Sequence, residues 1–156
     1  MGRMYSVEFS KITVTADQDL FELTPADDKP IAIHAIYLSQ STLLADAAEE
    51  ILNIKIIRGL ATSGSGGGTS TPAVLSPLDT AAGFTCEVNN DTIATSGTAV
   101  DLHSDSWNVR TGLQLVFAPD ERPVATQANT LLVVRLMENP AGSTTMSGTC
   151  YVEELV

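Results

Sequence analysis

The protein has 156 residues, of which 44% are hydrophobic and 17% are charged, and this composition excludes a disordered acidic tail. Its formal net charge of −11 argues against direct binding to nucleic acid, because phosphate contacts require a clustered positive surface. All apolar runs are shorter than the roughly 20 residues that cross a bilayer, so no membrane-spanning helix is predicted.

A long first strand with a bulge is predicted near the N-terminus, after an N-terminal extension over residues 1–5. Val7 and Phe9, and then Ile12 and Val14, place apolar side chains at alternate positions. The change of parity between these two pairs is typical of a β-bulge.

Four segments with different patterns follow this strand. Residues 17–30 are polar and rich in turn formers, which predicts a connection with at most a brief edge pairing. Residues 31–38 are apolar at both parities, which predicts a strand buried on two sides, either in a sandwich or beneath a neighbouring subunit. Residues 41–50 predict either a short helix or an extended loop. Residues 51–60 alternate and predict a half-buried strand.

The glycine segment, residues 61–72, reads ATSGSGGGTSTP and contains almost no apolar side chains. Such a segment cannot build a packed core, because it has little apolar surface to offset the backbone entropy of glycine. We therefore expect a long flexible loop that crosses the surface or reaches toward a partner.

The second half of the chain predicts short strands separated by turns. Together with the first half it gives seven to eight strands and at most one short helix. Many short strands at near-regular spacing predict an all-β fold, a single β-sandwich domain over residues 1–156 with jelly-roll or related Greek-key order. The predicted strands of this half cover residues 84–88, 92–102, 107–117, 130–137 and 144–152.

Catalytic or metal-binding constellations are not evident in the sequence. The chain has two histidines, His34 and His103, and neither lies at ligand spacing from cysteines or carboxylates. His103 lies near Asp101 and Asp105, but no G-x-S-x-G motif supplies a serine nucleophile. We therefore predict no enzyme activity, no catalytic residue, no cofactor and no metal site.

Cys86 and Cys150 each lie inside a predicted strand, far apart in the sequence. Free buried thiols in a reducing compartment are the favoured interpretation, and a disulfide between them is the alternative.

The layout of the chain carries a resemblance to a known class of proteins. It combines IHAIYLSQSTLLADAAEEILNIKIIRG, the glycine segment, LQLVFAPDERPVATQANTLLVVRL and a closing SGTCYVEEL. In this layout the chain resembles β-sandwich structural proteins of tailed-bacteriophage virions, and it is similar to capsid decoration, or cement, proteins.

The resemblance implies a non-enzymatic protein on the outer head surface of the virion, made in the cytoplasm of the host bacterium. The implied partners are the major capsid protein and further copies of the chain, with a trimer as the first expectation, and not nucleic acid or a membrane. A tail, neck or fibre-associated structural or adhesion protein is the alternative.

Assembly contacts are expected from three parts of the chain: the N-terminal residues with the two-sided apolar strand, the glycine segment, and the single tryptophan, which is typical of a core or interface anchor. The N-terminal residues and the glycine segment are expected to become ordered on assembly. The residues expected to make these contacts are Tyr5, Ile31, Ile33, Ser63, Gly66, Thr69 and Trp107.

Overall fold

A computed structural model describes residues 2–42 and 50–155, which form two six-stranded antiparallel sheets packed face to face. The described residues contain twelve strands and one 3₁₀ helix at Pro119–Glu121. The strands are β1 Arg3–Val14, β2 Gln18–Thr24, β3 Ile31–Gln40, β4 Ile51–Leu60, β5 Gly68–Thr69, β6 Ala73–Val74, β7 Thr85–Asn90, β8 Val100–Asn108, β9 Leu113–Val116, β10 Val124–Ala125, β11 Leu131–Leu136 and β12 Thr144–Glu154.

Eight of these strands have the order of a jelly roll. The first half of the chain pairs with the second half as β1 with β12, β2 with β11, β3 with β9, and β4 with β8. These pairs alternate between the sheets, so one sheet contains β9–β3–β12–β1 and the other contains β2–β11–β4–β8. The predicted all-β sandwich with jelly-roll order is confirmed.

The predicted number of seven to eight strands is wrong, because four further strands lie between or beside these eight. β5 and β7 extend one sheet beyond β2, β6 pairs with β1, and β10 pairs with β3. β5, β6 and β10 have two residues each, which is too short for alternation to be visible in the sequence.

Two predicted strands of the second half have wrong boundaries. Residues 92–97 form a loop, and β8 covers the end of one predicted strand and the start of the next. The segment predicted as one strand over residues 107–117 contains a turn at residues 109–112 between β8 and β9. Gly112 has a φ of 74°, a conformation that suits glycine and ends the alternation there.

The bulge in β1 is confirmed. The register between β1 and β12 shifts between Phe9 and Ile12, and Lys11 within the shift has a φ of 55°. The apolar face before the bulge contributes to the core between the sheets, where the rings of Phe9 and Phe21 lie 5.3 Å apart between their centroids. A T-shaped contact between Tyr5 and Phe84 at 5.6 Å adds to the same core.

The predicted N-terminal extension over residues 1–5 is wrong for the residues that the structure describes. β1 begins at Arg3, and the side chain of Tyr5 is fully buried. The Gly2 amide donates a hydrogen bond to Glu153 Oε1, 3.0 Å away. Met1 lies outside the described residues.

Most of the segment for which a short helix or a loop was predicted, residues 43–49, lies outside the described residues. Ser41, Thr42 and Glu50, which flank it, are neither helix nor strand. Within the described ranges, no helix is long and apolar enough to cross a membrane.

Candidate functional site

The glycine segment lies against β7 in the structure, where the sequence predicts a free flexible arm. Its residues Gly68 and Thr69 form β5, which pairs with β7. Thr62 exchanges two backbone hydrogen bonds with Thr95, each with an N–O distance of 2.9 Å, and Ser65 forms the same kind of bridge with Thr92. Gly68 and Thr69 therefore extend the edge of the sheet, while Ser63 and Gly64 lie over Glu22 of β2, and the predicted arm is not observed.

Close approach to β7 explains the glycines of this segment. A Cβ atom on Gly67 would lie 2.1 Å from the backbone oxygen of Val88, which is far inside van der Waals contact. Gly66 has a φ of 95°, and a Cβ there would lie 1.9 Å from Asp91 Oδ1. A Cβ on Gly68 would meet no atom within 4 Å. Two of the three consecutive glycines are thus required by packing or backbone conformation, because only glycine permits both.

Replacing Gly67 with alanine should lower the free energy of unfolding by about 1–3 kcal/mol, because the added methyl forces the glycine segment away from β7. The matched variant Gly68→Ala should change it by less than about 0.5 kcal/mol. Urea denaturation of both variants measures the difference. Equal stabilities for the two variants would contradict the packing explanation.

A cluster of buried charged groups, Asp19, Glu22 and Arg135, lies beneath the glycine segment. Glu22 is 1% exposed and accepts hydrogen bonds through Oε1 from Ser63 Oγ at 2.8 Å and from the Gly64 amide at 2.9 Å. Asn90 Nδ2 donates to Glu22 Oε2 at 2.8 Å. Burial raises the pKa of Glu22 despite these three donors, and the neighbouring Asp19 raises it further.

Asp19 is fully buried and is balanced by Arg135 from β11. Arg135 Nε donates to Asp19 Oδ1 at 2.6 Å, and the Ala94 amide donates to Asp19 Oδ2 at 2.7 Å. The Arg135 guanidinium also donates to the Ala94 carbonyl oxygen at 3.0 Å. This cluster ties β2, β11 and the loop before β8 together, and its internal saturation indicates a structural role.

The raised pKa of Glu22 predicts how stability depends on pH. Between its unfolded and folded pKa values the native state binds more protons than the unfolded state, so stability falls as pH rises. The contribution of Glu22 is therefore complete below about pH 4.5 and is lost as pH rises through the folded pKa. Urea denaturation of Glu22→Gln and of the wild type across pH should show that the free energy of unfolding falls less with rising pH in the variant. Parallel curves of this free energy against pH would contradict the role of Glu22.

A cavity of about 420 Å³ opens between the glycine segment, the end of β1 and the turn after β7. Its wall includes Gln18, Asn89 and Asp91. Asn89 is 8% exposed, and its Oδ1 accepts a hydrogen bond from Gln18 Nε2 at 2.8 Å. Asn89 Nδ2 is buried and has no hydrogen-bond partner among the described residues.

An exposed apolar segment, residues 73–80, lies at the edge of the other sheet. Val74 pairs with Tyr5 through β6, and the Leu75 amide donates to the Met4 carbonyl oxygen at 3.1 Å. Beyond this point Leu75 is 50% exposed and Leu78 is 94% exposed. Leucine at such exposure adds apolar surface to the outside of an otherwise acidic protein.

The predicted assembly residues fall into two groups in the structure. Tyr5, Ile31, Ile33 and Trp107 are at most 5% exposed and pack in the protein's own core, so their side chains do not reach a partner in this fold. Ser63, Gly66 and Thr69 are exposed together on the glycine segment.

The apolar strand β3 has core residues at both parities because of an irregularity in its pairing, and not because a neighbouring subunit covers it. The register between β3 and β12 shifts between Ile33 and Ala35, so Ile31 and Ile33 before the shift and Ile36 and Leu38 after it belong to the same core. Leu78 is not among the predicted contact residues, although a leucine between Pro77 and Asp79 in a turn-rich stretch was the available signal.

His103 and Asp105 come together on β8, and the two neighbouring serines of this strand do not share their face. His103 Nε2 lies 3.7 Å from Asp105 Oδ2 and has no hydrogen-bond partner among the described residues. Ser104 and Ser106 alternate with them along β8 and so point to the opposite face. His34 is paired with a glutamate instead, with its Nε2 2.6 Å from the Oε2 atom of Glu153.

Both cysteines are free and buried, as the favoured interpretation predicts. Burial raises the pKa of both thiols, Cys86 and Cys150, which keeps them protonated and weakly nucleophilic. Across residues 2–42 and 50–155, no group of three or more histidine, cysteine or acidic side chains is arranged to hold a metal ion.

Comparisons with known proteins give no family for the chain. No protein-family model matches it, and no curated protein matches it. Among solved structures, the chain is similar to infectious bursal virus-derived T=1 particles at 15% identity, with a TM-score of 0.15. That match covers 98% of this chain and 40% of the viral chain, and a TM-score of this size carries no argument about function.

Proposed function

We propose that the protein is a non-enzymatic virion structural protein that binds the outer surface of a tailed-phage head as a decoration protein and stabilises it. The observation that carries the proposal is the exposed apolar segment, with Leu75 half exposed and Leu78 almost fully exposed. Such side chains lower the solubility of a free protein and are favourable where a partner covers them.

The charge of the protein defines the partner that fits this segment. The protein carries a net charge of −11, and Asp79 directly follows Leu78. A complementary surface would have an apolar pocket with basic groups around it, because opposite potentials speed encounter and select the partner. The major capsid protein is the proposed partner, and many copies on a fixed lattice would strengthen weak single contacts through avidity.

The exposed part of the glycine segment supports a second contact. Ser63, Gly66 and Thr69 lie on a surface that is polar and almost free of large side chains, which permits close approach of another backbone. Self-association as a trimer belongs to the proposal through the resemblance to decoration proteins. Sedimentation of the purified protein at high concentration tests it, and a monomer would contradict it.

Location and copy number on the particle test the proposed function directly. Quantitative mass spectrometry of virions, beside tail-less heads from the same source, should give an abundance comparable to the major capsid protein and retention on heads. A low copy number that is lost with the tails would assign the protein to the tail, neck or fibre instead. Absence from both would refute a virion role.

The role of the apolar segment is tested with purified heads that lack the protein. The variant Leu75→Asp/Leu78→Asp should bind such heads at least tenfold more weakly than the wild type in cosedimentation, since charged side chains cannot enter an apolar pocket. Val116→Asp is the matched control, because Val116 is 71% exposed and lies on β9, at the opposite edge of the same sheet. Unchanged binding of the double variant would remove the segment from the interface.

A further inference from the structure

We propose that the cavity beside the glycine segment binds a neutral, hydroxyl-rich ligand, a saccharide unit being the chemical class that fits. The cavity volume of about 420 Å³ lies in the range of small-molecule sites, which runs from about 300 to 1,000 Å³. This inference is independent of the proposed head-surface role, because the cavity and the exposed apolar segment, residues 73–80, share no residues.

A buried amide donor without a partner is the first observation behind this assignment. Asn89 has a φ of 55°, a left-handed conformation that asparagine tolerates better than most residues, and it is 8% exposed. The hydrogen bond from Gln18 Nε2 to Asn89 Oδ1 fixes the orientation of the amide and leaves Nδ2 without an acceptor among the described residues. A small shift of the amide toward the cavity would bring Nδ2 within reach of a ligand hydroxyl oxygen, which would satisfy a donor that is otherwise costly to bury.

Acceptors and an apolar wall complete the set that a saccharide requires. Asp91 is exposed and places its carboxylate at the cavity, where it can accept hydrogen bonds from ligand hydroxyls. Thr13 lines the cavity and can supply a hydroxyl, and the exposed Ile12 supplies apolar surface for the C–H face of a sugar ring. Gly68 adds no side chain to this wall, so a ring can approach the backbone there.

The charge of the cavity selects a neutral ligand over an anion or a metal ion. Asp91 is the one charged residue among the described residues that line the cavity. A single carboxylate repels phosphate and acidic sugars, and it supplies too few oxygen ligands for calcium.

Nuclear magnetic resonance titration of the ¹⁵N-labelled full chain tests the assignment. The probes are glucose, galactose, mannose and N-acetylglucosamine, with inorganic phosphate as the charged counter-probe. We expect at least one sugar to cause saturable shifts of the amides of Gly67, Gly68, Asn89 and Asp91, and we expect phosphate to cause none. Shifts with phosphate alone, or no saturable shift with any of the four sugars, would overturn the proposal.

Two variants identify the groups that bind. Asp91→Ala should lower the affinity for the sugar at least tenfold, because a hydrogen bond from a sugar hydroxyl to a charged acceptor is lost. Asn89→Asp tolerates the same backbone conformation but replaces the donor with an acceptor, and it should lower the affinity for the sugar by a similar factor. Asp120→Ala, at an exposed position in the 3₁₀ helix, is the matched control and should bind as the wild type does. Equal affinities for all four proteins would overturn the assignment.

Discussion

Replacing Arg135 with methionine should lower the free energy of unfolding by about 3–5 kcal/mol, which is a large part of the stability of an ordinary domain. Asp19 is fully buried, and Arg135 Nε donates to its Oδ1 at 2.6 Å. Without the guanidinium, Asp19 would keep the Ala94 amide but lose the positive charge that balances it. Urea denaturation at neutral pH measures the effect.

A double-mutant cycle separates the loss of the ion pair from the loss of packing. Asp19→Asn combined with Arg135→Met should be more stable than the sum of the two single changes implies, because no uncompensated buried charge is left. If Arg135→Met alone costs less than about 1 kcal/mol, or if the two changes are additive, the pair does not balance charge as described.

Replacing Glu154 with leucine should lower the free energy of unfolding by about 2–3 kcal/mol. Glu154 is fully buried in β12, and its Oε2 accepts hydrogen bonds from the amides of Gly83 at 2.7 Å and Phe84 at 3.1 Å. Leucine has a similar size but no acceptor, so at least one buried amide would be left without a partner. The measurement is urea denaturation, combined with hydrogen exchange at the Gly83 and Phe84 amides.

The matched variant for this position is Glu154→Gln. Its amide oxygen can accept from both backbone amides, so the cost should stay below about 1 kcal/mol, and exchange at Gly83 and Phe84 should stay slow. The Gly83 and Phe84 amides lie just after the exposed apolar segment, residues 73–80. Glu154→Leu should therefore also speed hydrogen exchange in that segment. Identical exchange in the two variants would contradict this role of the carboxylate.

Strands with a clear alternation of apolar and polar residues could be predicted from the sequence. β2, which is buried on both faces although it contains polar residues, could not. Residues 17–30 contain Asp19 and Glu22 and therefore favour a turn-rich connection, yet β2 lies between β7 and β11 and is almost entirely buried. Asp19 is compatible with burial because Arg135 is its partner, 116 positions away in the sequence. A pattern over neighbouring residues contains no information about such a partner.

The glycine segment shows a second limit of sequence reasoning. Glycine is typical both of flexible loops and of places where two backbones approach closely, and composition alone does not separate these cases. The 2.1 Å between a Cβ on Gly67 and the Val88 oxygen identifies the second case, and it appears only when β7 is in place. The candidate cavity could not be predicted for the same reason, since its wall joins Ile12, Gln18 and Asn89 from separate strands.

The pairing of β1 with β12 determines when the domain can fold during its synthesis. β12 lies between β1 and β3, so neither of these strands has its full set of backbone partners until residue 154 has been synthesised. During translation the emerging chain therefore exposes unpaired strand edges and apolar faces for most of its length. The domain can complete its fold only after β12 has left the ribosome, and truncation before β12 should give insoluble product instead of a smaller domain.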